Sequence, residues 1–185
     1  MVVQADDVVL DVGSHLGTFT RYALRRSARL VVAFEPEPIN VTCFKKNFSA
    51  ELDQGRVILI EAAAWEASGV LELASGTDHL SWSFSAVPEL QFKNTSKFAV
   101  KAVTIDEIVE QRKLSRVDFI KMNIEGAERH AIRGARQTIA RFGPRMDIAT
   151  HHLQDDLRTI PQLVLEIRPS YKIAFNIGLS EAFFH

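Results

Sequence analysis

The residues in this chain whose types and spacing point to chemistry fall in four groups. The first is Asp11-Val-Gly-Ser-His-Leu-Gly17, an acid followed by two glycines four positions apart. It comes directly after the apolar run Val8-Val-Leu10, and a helix-like segment opens at Thr18. This is the pattern of a buried strand, a tight turn and a helix N-terminus, a junction that holds nucleotide-like ligands. Gly13 and Gly17 have no Cβ, so the backbone there is expected to turn sharply and approach a ligand closely. The second is Glu35, at the end of the next apolar run, where a carboxylate can accept both hydroxyl hydrogens of a ribose. The third is the pair Asn123 and Glu125, and the fourth is His151-His152.

The spacing of the turn separates two cofactor classes. A dinucleotide site needs G-x-G-x-x-G, with a middle glycine where the pyrophosphate approaches. Here His15 replaces that glycine, and Asp11 before the turn would repel a phosphate. An acid at that point suits an amino group, directly or through water. S-adenosylmethionine has an amino-acid end, a ribose and no phosphate, so Asp11, Gly13, Ser14, His15, Gly17, Glu35 and Pro36 fit it better than NAD.

Asn123 and Glu125 are two residues apart at a strand end, and in a regular strand they point to one side. An amide and a carboxylate would then lie beside the methyl donor. Methyl transfer to a hydroxyl needs alignment of the acceptor and removal of its proton. Glu125 can serve as that base or hold the acceptor; it can equally bond backbone N–H groups where the next helix begins. Lys121 reads better as an anchor than as a catalytic group. His151 is a candidate base at the following strand end. His151 and His152 point to opposite faces of a strand, so no metal site is expected. Trp65 and Trp82 fit either an acceptor pocket or internal packing.

These residues need a parallel sheet to bring them together. Apolar runs alternate with amphipathic segments, the pattern of βαβ units. Strands are expected over 8–12, 30–34, 57–60, 117–124, 145–150 and 171–176, and a seventh starting at Glu181. Helices are expected over 18–26, from Pro38, over 105–112, over 127–141 as one long helix, and over 155–167 with Pro161 kinking it or marking its start. Thr104-Ile-Asp-Glu107 has capping-box spacing. Residues 70–73 and 98–103 read as extra strands. Between them, Ser81, Ser83 and Ser85 read as a surface loop near the site.

Composition narrows the classes. The chain has 185 residues, 46% of them hydrophobic and 24% charged, and a net charge of −1. One domain over 1–185 is expected, short at both ends. The near-zero charge disfavours nucleic acid and anionic membranes as partners. Cys43 is the single cysteine, so no disulfide forms within the chain, which fits a reducing, cytoplasmic setting. No signal peptide and no run of about 18 apolar residues is seen. The glycosylation-like triplets at Asn40, Asn47 and Asn94 read as chance matches.

The quoted turn, Phe34-Glu-Pro36, Thr104-Ile-Asp-Glu107 and Asp118-Phe-Ile-Lys-Met-Asn-Ile-Glu-Gly-Ala-Glu128 together resemble the FkbM-type S-adenosylmethionine-dependent methyltransferases. The resemblance covers nearly the whole chain and is most specific over 121–128. It implies a Rossmann-like class I methyltransferase fold, with a mostly parallel seven-stranded sheet flanked by helices. It also implies O-methylation of a small hydroxylated acceptor such as a sugar or secondary metabolite. By position, Asp11, Gly13 and Gly17 would contact the methionine end of S-adenosylmethionine, Glu35 its ribose, and Ala63 and Ala64 its adenine. The family's motif reads Lys-x-Asp-x-Glu-Gly, and here Asn123 stands at the middle acid. An amide can orient an acceptor hydroxyl but cannot take its proton. Two other classes stay open. A nicotinamide-dependent oxidoreductase is disfavoured by the missing glycine. A non-catalytic binding or interaction domain is motivated by Asn123 and the short ends.

Overall fold

β1 (Val8–Val12) is buried along its whole length, as a continuous apolar run at the centre of a parallel sheet should be. A computed structural model describes residues 2–75, 84–87, 96–176 and 181–185. β1 pairs in parallel with β2 (Leu30–Phe34) on one side and with β8 (Phe119–Met122) on the other. β3 (Val57–Ile60) extends the sheet beyond β2, and β9 (Arg145–Ala149) extends it beyond β8. β11 (Glu181–Phe184) then runs antiparallel between β9 and β10 (Ile173–Asn176). The seven-strand order is β10-β11-β9-β8-β1-β2-β3. The expected seventh strand is therefore an interior one, paired on both edges.

Alternation along the strands divides the core in two. Leu10 and Val12 face a cluster with Ile120, Met122, Ile132 and Ile160. Val9 faces the other side with Val31, Phe119, Phe44 and Phe48. That second face is covered by α1 (Thr18–Arg25) and α2 (Pro38–Asn47). α2 starts at a proline and is capped by Glu37, whose carboxylate accepts the Asn40 N–H at 2.6 Å. Its Val41 and Phe44, with Phe48 just beyond, are buried as their spacing predicts. A short α3 (Ser49–Asp53), absent from the sequence expectations, follows.

Several boundaries differ from the sequence expectations. The residues at 70–73 and 98–103 do form strands, but outside the main sheet. β4 (Ala63–Ala64), β7 (Ser96–Val103), β5 (Gly69–Ser75) and β6 (Phe84–Ser85) form a second, four-stranded sheet. Ser81, Ser83, Trp82 and Asn94 lie outside the described residues. Ser85 is buried in β6 rather than in a surface loop. The main-sheet strand expected over 117–124 spans only Phe119–Met122. Its last bond to β1 runs from the Asn123 N–H to the Val12 carbonyl, after which β1 turns away at Gly13.

The single helix expected over 127–141 is two helices, α5 (Glu128–Arg133) and α6 (Arg136–Phe142). The break has a tertiary cause. Asp106, at the start of α4 (Ile105–Gln111), reaches across and accepts the Gln137 and Thr138 N–H groups at 2.9 and 2.8 Å. Gly134 meanwhile packs on the Trp65 carbonyl, where a Cβ would lie 2.0 Å from the oxygen. At the start of α4, Thr104 Oγ1 accepts the Glu107 N–H. The Glu107 carboxylate bonds Gln111 and Ser68, so only half of the capping box forms. α7 (Asp156–Ile167) runs through Pro161 without ending. Among the described residues, no helix is long and apolar enough to cross a membrane.

Candidate active site

The turn after β1 is built on left-handed backbone at three positions: Gly13 (φ 82), His15 (φ 51) and Gly17 (φ 94). Gly13 and Ser14 both donate their N–H to the Phe34 carbonyl, and Gly17 donates to Ser14. Both glycines also serve packing within the protein, and Gly13 lies on the cleft wall. A Cβ on Gly13 would lie 2.1 Å from the Asn123 carbonyl oxygen, and one on Gly17 would lie 2.0 Å from the Phe48 ring. Gly13 lets β1 and β8 meet edge to edge where the sheet ends; Gly17 seats α1 on Phe48.

Asp11 is fully buried and does not line the cleft. Sheet register puts Asp11, Lys121 and Asp147 in one row on the α1 face. Asp11 Oδ2 accepts the Thr20 hydroxyl at 2.7 Å, and Oδ1 lies 3.3 Å from Lys121 Nζ. Lys121 in turn donates to the Gly13 carbonyl at 2.7 Å. Asp11 therefore acts on the turn through Lys121, which is the anchor the sequence reading favoured.

Glu35 lies at the carboxyl end of β2 and is 5% exposed. Oε2 accepts the His15 N–H at 2.8 Å; Oε1 accepts the Glu37 N–H at 3.0 Å and the Asn40 amide at 3.3 Å. Burial pushes its pKa above the ordinary value, against these hydrogen bonds. Three protein donors leave roughly one of its four acceptor sites open, on Oε2. Asn40, five residues on, is also on the cleft wall. It is not among the site residues expected from sequence; its signal was its place in the first turn of the helix that opens at Pro38.

Across the cleft, Asn123 and Glu125 both line the wall, but not by strand alternation. β8 has ended at Met122, and Glu125 adopts φ 56 before Gly126 (φ 93). The Ser85 hydroxyl donates to the Glu125 carbonyl at 2.8 Å and so ties the small sheet to this turn. Such strain at a non-glycine residue persists only where surrounding contacts hold it. His151 is exposed and its ring lies tilted against that of His152, with centroids 4.3 Å apart; it does not line the cleft. His152, 9% exposed at its side chain, is the one turned toward the site, with Nε2 3.7 Å from Glu125 Oε2. β9 ends at Ala149, so neither histidine is held by the strand's alternation. Among the described residues, no group of three or more His, Cys, Asp and Glu side chains has metal-holding geometry.

These residues surround one cleft of about 490 Å³ at the carboxyl ends of β1, β2 and β8, the position at which open α/β sheets bind ligands. Gly13, Ser14, His15, Glu35, Pro36, Ala63, Ala64, Asn123 and Glu125 line it, whereas Asp11, Gly17 and His151 do not. Ser14 is 3% exposed, and its buried hydroxyl has no hydrogen-bond partner among the described residues. Phe34, Ala62 and Ile124 add apolar wall, and Leu71 and Leu73 close it from the small sheet. Trp65 also lines it, with its ring stacked on His130 at 3.8 Å.

Seven strands in this order, the seventh antiparallel, with the ligand cleft beside β1, define the class I methyltransferase fold. Solved structures show the same architecture. Methyltransferase FkbM from Methylobacillus flagellatus matches 98% of this chain with a TM-score of 0.73 and 22% identity, over 44% of its own length. Aeropyrum pernix fibrillarin, solved with natively bound S-adenosyl-L-methionine, matches 100% of this chain with a TM-score of 0.55 and 13% identity, over 67% of its length. The methyltransferase FkbM domain model matches residues 11–172, and the chain belongs to that family. It is 26% identical over 176 residues to the hexuronic acid methyltransferase AglP of Haloferax volcanii, covering 92% of this chain and 66% of AglP. It is 24% identical over 190 residues to the 2-O-methyltransferase NoeI of Sinorhizobium fredii, covering 94% of this chain and 75% of NoeI. The chain thus spans about two thirds of AglP and under half of the Methylobacillus chain.

Proposed function

We propose that this protein transfers the methyl group of S-adenosylmethionine to a hydroxyl oxygen of a small, sugar-type acceptor. One observation carries the reading: a buried, backbone-held carboxylate (Glu35), an unpartnered buried hydroxyl (Ser14) and an amide–carboxylate pair (Asn123, Glu125) converge on one cleft. Its volume is in the range of small-ligand sites. The donor set fits the cofactor. Glu35 and Asn40 would hold the ribose hydroxyls, Ser14 the amino-acid end, and Ala63 and Ala64 the adenine face. When bound, the cofactor supplies an electrophilic sulfonium methyl.

The protein's own residues then do three things. The turn held by Asp11, Lys121 and Gly13 fixes the floor of the cleft against β8. Asn123 orients the acceptor hydroxyl, which needs only a hydrogen bond and so tolerates an amide in place of the family's acid. Glu125 takes the hydroxyl proton as the new carbon–oxygen bond forms. AglP and NoeI are named for hexuronic acid and 2-O methylation, which supports a sugar hydroxyl as the acceptor here. The near-neutral charge supports a small molecule over nucleic acid, and the single cysteine supports a cytoplasmic setting.

Calorimetry with S-adenosylmethionine tests the cofactor, and release of S-adenosylhomocysteine with hexuronic acid and hexose acceptors tests the transfer. No binding heat at millimolar cofactor overturns the reading. Glu35→Gln is expected to weaken cofactor affinity roughly 10-fold or more, the effect of one charge-assisted hydrogen bond. Because burial raises the Glu35 pKa, wild-type affinity should decline on acidification at a pH above the ordinary carboxylate value of 4.5. Glu35→Gln should lack that pH dependence.

A further inference from the structure

His152 is 9% exposed at its side chain and is not among the residues that line the cleft. It follows β9 and projects between the turn after β8 and the start of α5. Its Nε2 lies 3.7 Å from Glu125 Oε2, and its Nδ1 lies 3.2 Å from Glu128 Oε1, an ion-pair distance rather than an aligned hydrogen bond. Glu128 is fully buried. Its Oε1 also accepts the Ile124 N–H at 2.7 Å, and its Oε2 has no hydrogen-bond partner among the described residues. A buried carboxylate with a spare oxygen is costly unless a cation can form beside it. The other charged groups around the imidazole are Asp156 of α7 and Arg129 of α5. Those two pair with each other, and Arg129 also pairs with Asp155. The His151 ring lies tilted against the imidazole.

We propose that His152 is the proton acceptor behind Glu125, held in register by Glu128, so that Glu125, His152 and Glu128 form a relay out of the cleft. The inference rests on the methyl-transfer reading above. As the acceptor oxygen bonds to the methyl carbon, the carbon–sulfur electron pair stays on sulfur and the hydroxyl proton passes to Glu125. Glu125 hands it to the Nε2 lone pair of His152, and Glu128 balances the imidazolium that results. Water takes the proton after the products leave. Asn123 cannot take a proton, and Glu125 is the carboxylate beside it on the cleft wall. His152 is a positioning and relay residue; it does not touch the acceptor.

Burial disfavours the His152 cation, but Glu128, Glu125 and Asp156 outweigh it and hold its pKa above 6.5. The relay works only with His152 neutral at the start. Turnover should therefore rise with pH through a value above 6.5.

The test combines three measurements. Calorimetry with S-adenosylmethionine on wild type, His152→Gln, Glu128→Gln and Glu125→Gln checks cofactor binding; its failure in wild type overturns the methyl-transfer reading. Proton NMR then follows the His152 imidazole, assigned by its loss in His152→Gln. Its midpoint should fall in both Glu128→Gln and Glu125→Gln, and a midpoint unmoved by Glu125→Gln overturns the relay. Finally, kcat and KM are measured against pH with glucuronic acid as the probe acceptor. His152→Gln should lower kcat about 10²-fold with little change in KM and abolish the acid limb. Glu128→Gln should move that limb to lower pH. An acid limb retained in His152→Gln overturns the relay. Cofactor binding by wild type with no turnover overturns the acceptor reading, and the imidazole titration then decides the coupling alone.

Discussion

At the scale of single residues, the two glycines of the turn carry the strongest local argument. Both have positive φ, and both face protein atoms at distances no Cβ tolerates. Gly13→Ala and Gly17→Ala combine backbone strain with overpacking, each roughly 1–3 kcal/mol, so each should destabilise by about 3 kcal/mol. Gly55 also has positive φ (68) but has no atom within 4 Å of its would-be Cβ. Gly55→Ala should cost only about 1 kcal/mol, the strain alone. Urea denaturation of the three variants separates the two effects; equal losses at all three sites would show that contact with Asn123 and Phe48 is unimportant.

At the scale of elements, the break between α5 and α6 shows how one side chain overrides a periodic pattern. The apolar spacing over 127–141 suits one helix. Asp106, from another helix, supplies the acceptor that the N-terminus of α6 lacks, taking two backbone N–H groups and the Thr138 hydroxyl at 2.7 Å. Asp106→Ala should cost about 1–2 kcal/mol, the usual loss for a helix cap. Amide exchange should quicken at Gln137 and Thr138 while α5 keeps its protection. Uniform quickening across both helices would instead show that they unfold as one unit.

At the scale of the whole molecule, the row Asp11, Lys121 and Asp147 crosses three strands of the sheet on one face. Asp147 is the costly member. Burial first, and then the neighbouring Glu181 carboxylate, push its pKa from 3.8 up to about 6, with Lys121 opposing. The fold thus prefers Asp147 protonated. Its contribution to stability is greatest below about pH 4, falls as pH rises from 3.8 toward 6, and is least above that window. Asp147→Asn should therefore raise the thermal midpoint at pH 7.5 more than at pH 4.5. A larger gain at pH 4.5 would reverse the assignment. The turn and Lys121 bind the same sheet ends, so cofactor affinity in Asp147→Asn also reports how far this row supports the cleft.

The sequence by itself determined the α/β class, the first three strands to the residue, the sharp glycine turn and the carboxylate at the end of β2. These are local facts: apolar runs, two closely spaced glycines, and a helix start at proline. The Lys121 to Glu128 segment placed the family for the same reason, since its residues are contiguous. Only the tertiary structure decided the rest. It set Asp11 behind Lys121 rather than in the cleft, and showed that Gly13 makes room for a strand end. It left His151 exposed and brought His152 within 3.7 Å of Glu125 and 3.2 Å of Glu128, past the end of β9. It put Asn40 on the cleft wall beside Glu35. Period and spacing describe a chain against itself, whereas the cleft is made by register between β1, β2 and β8, which no single segment records.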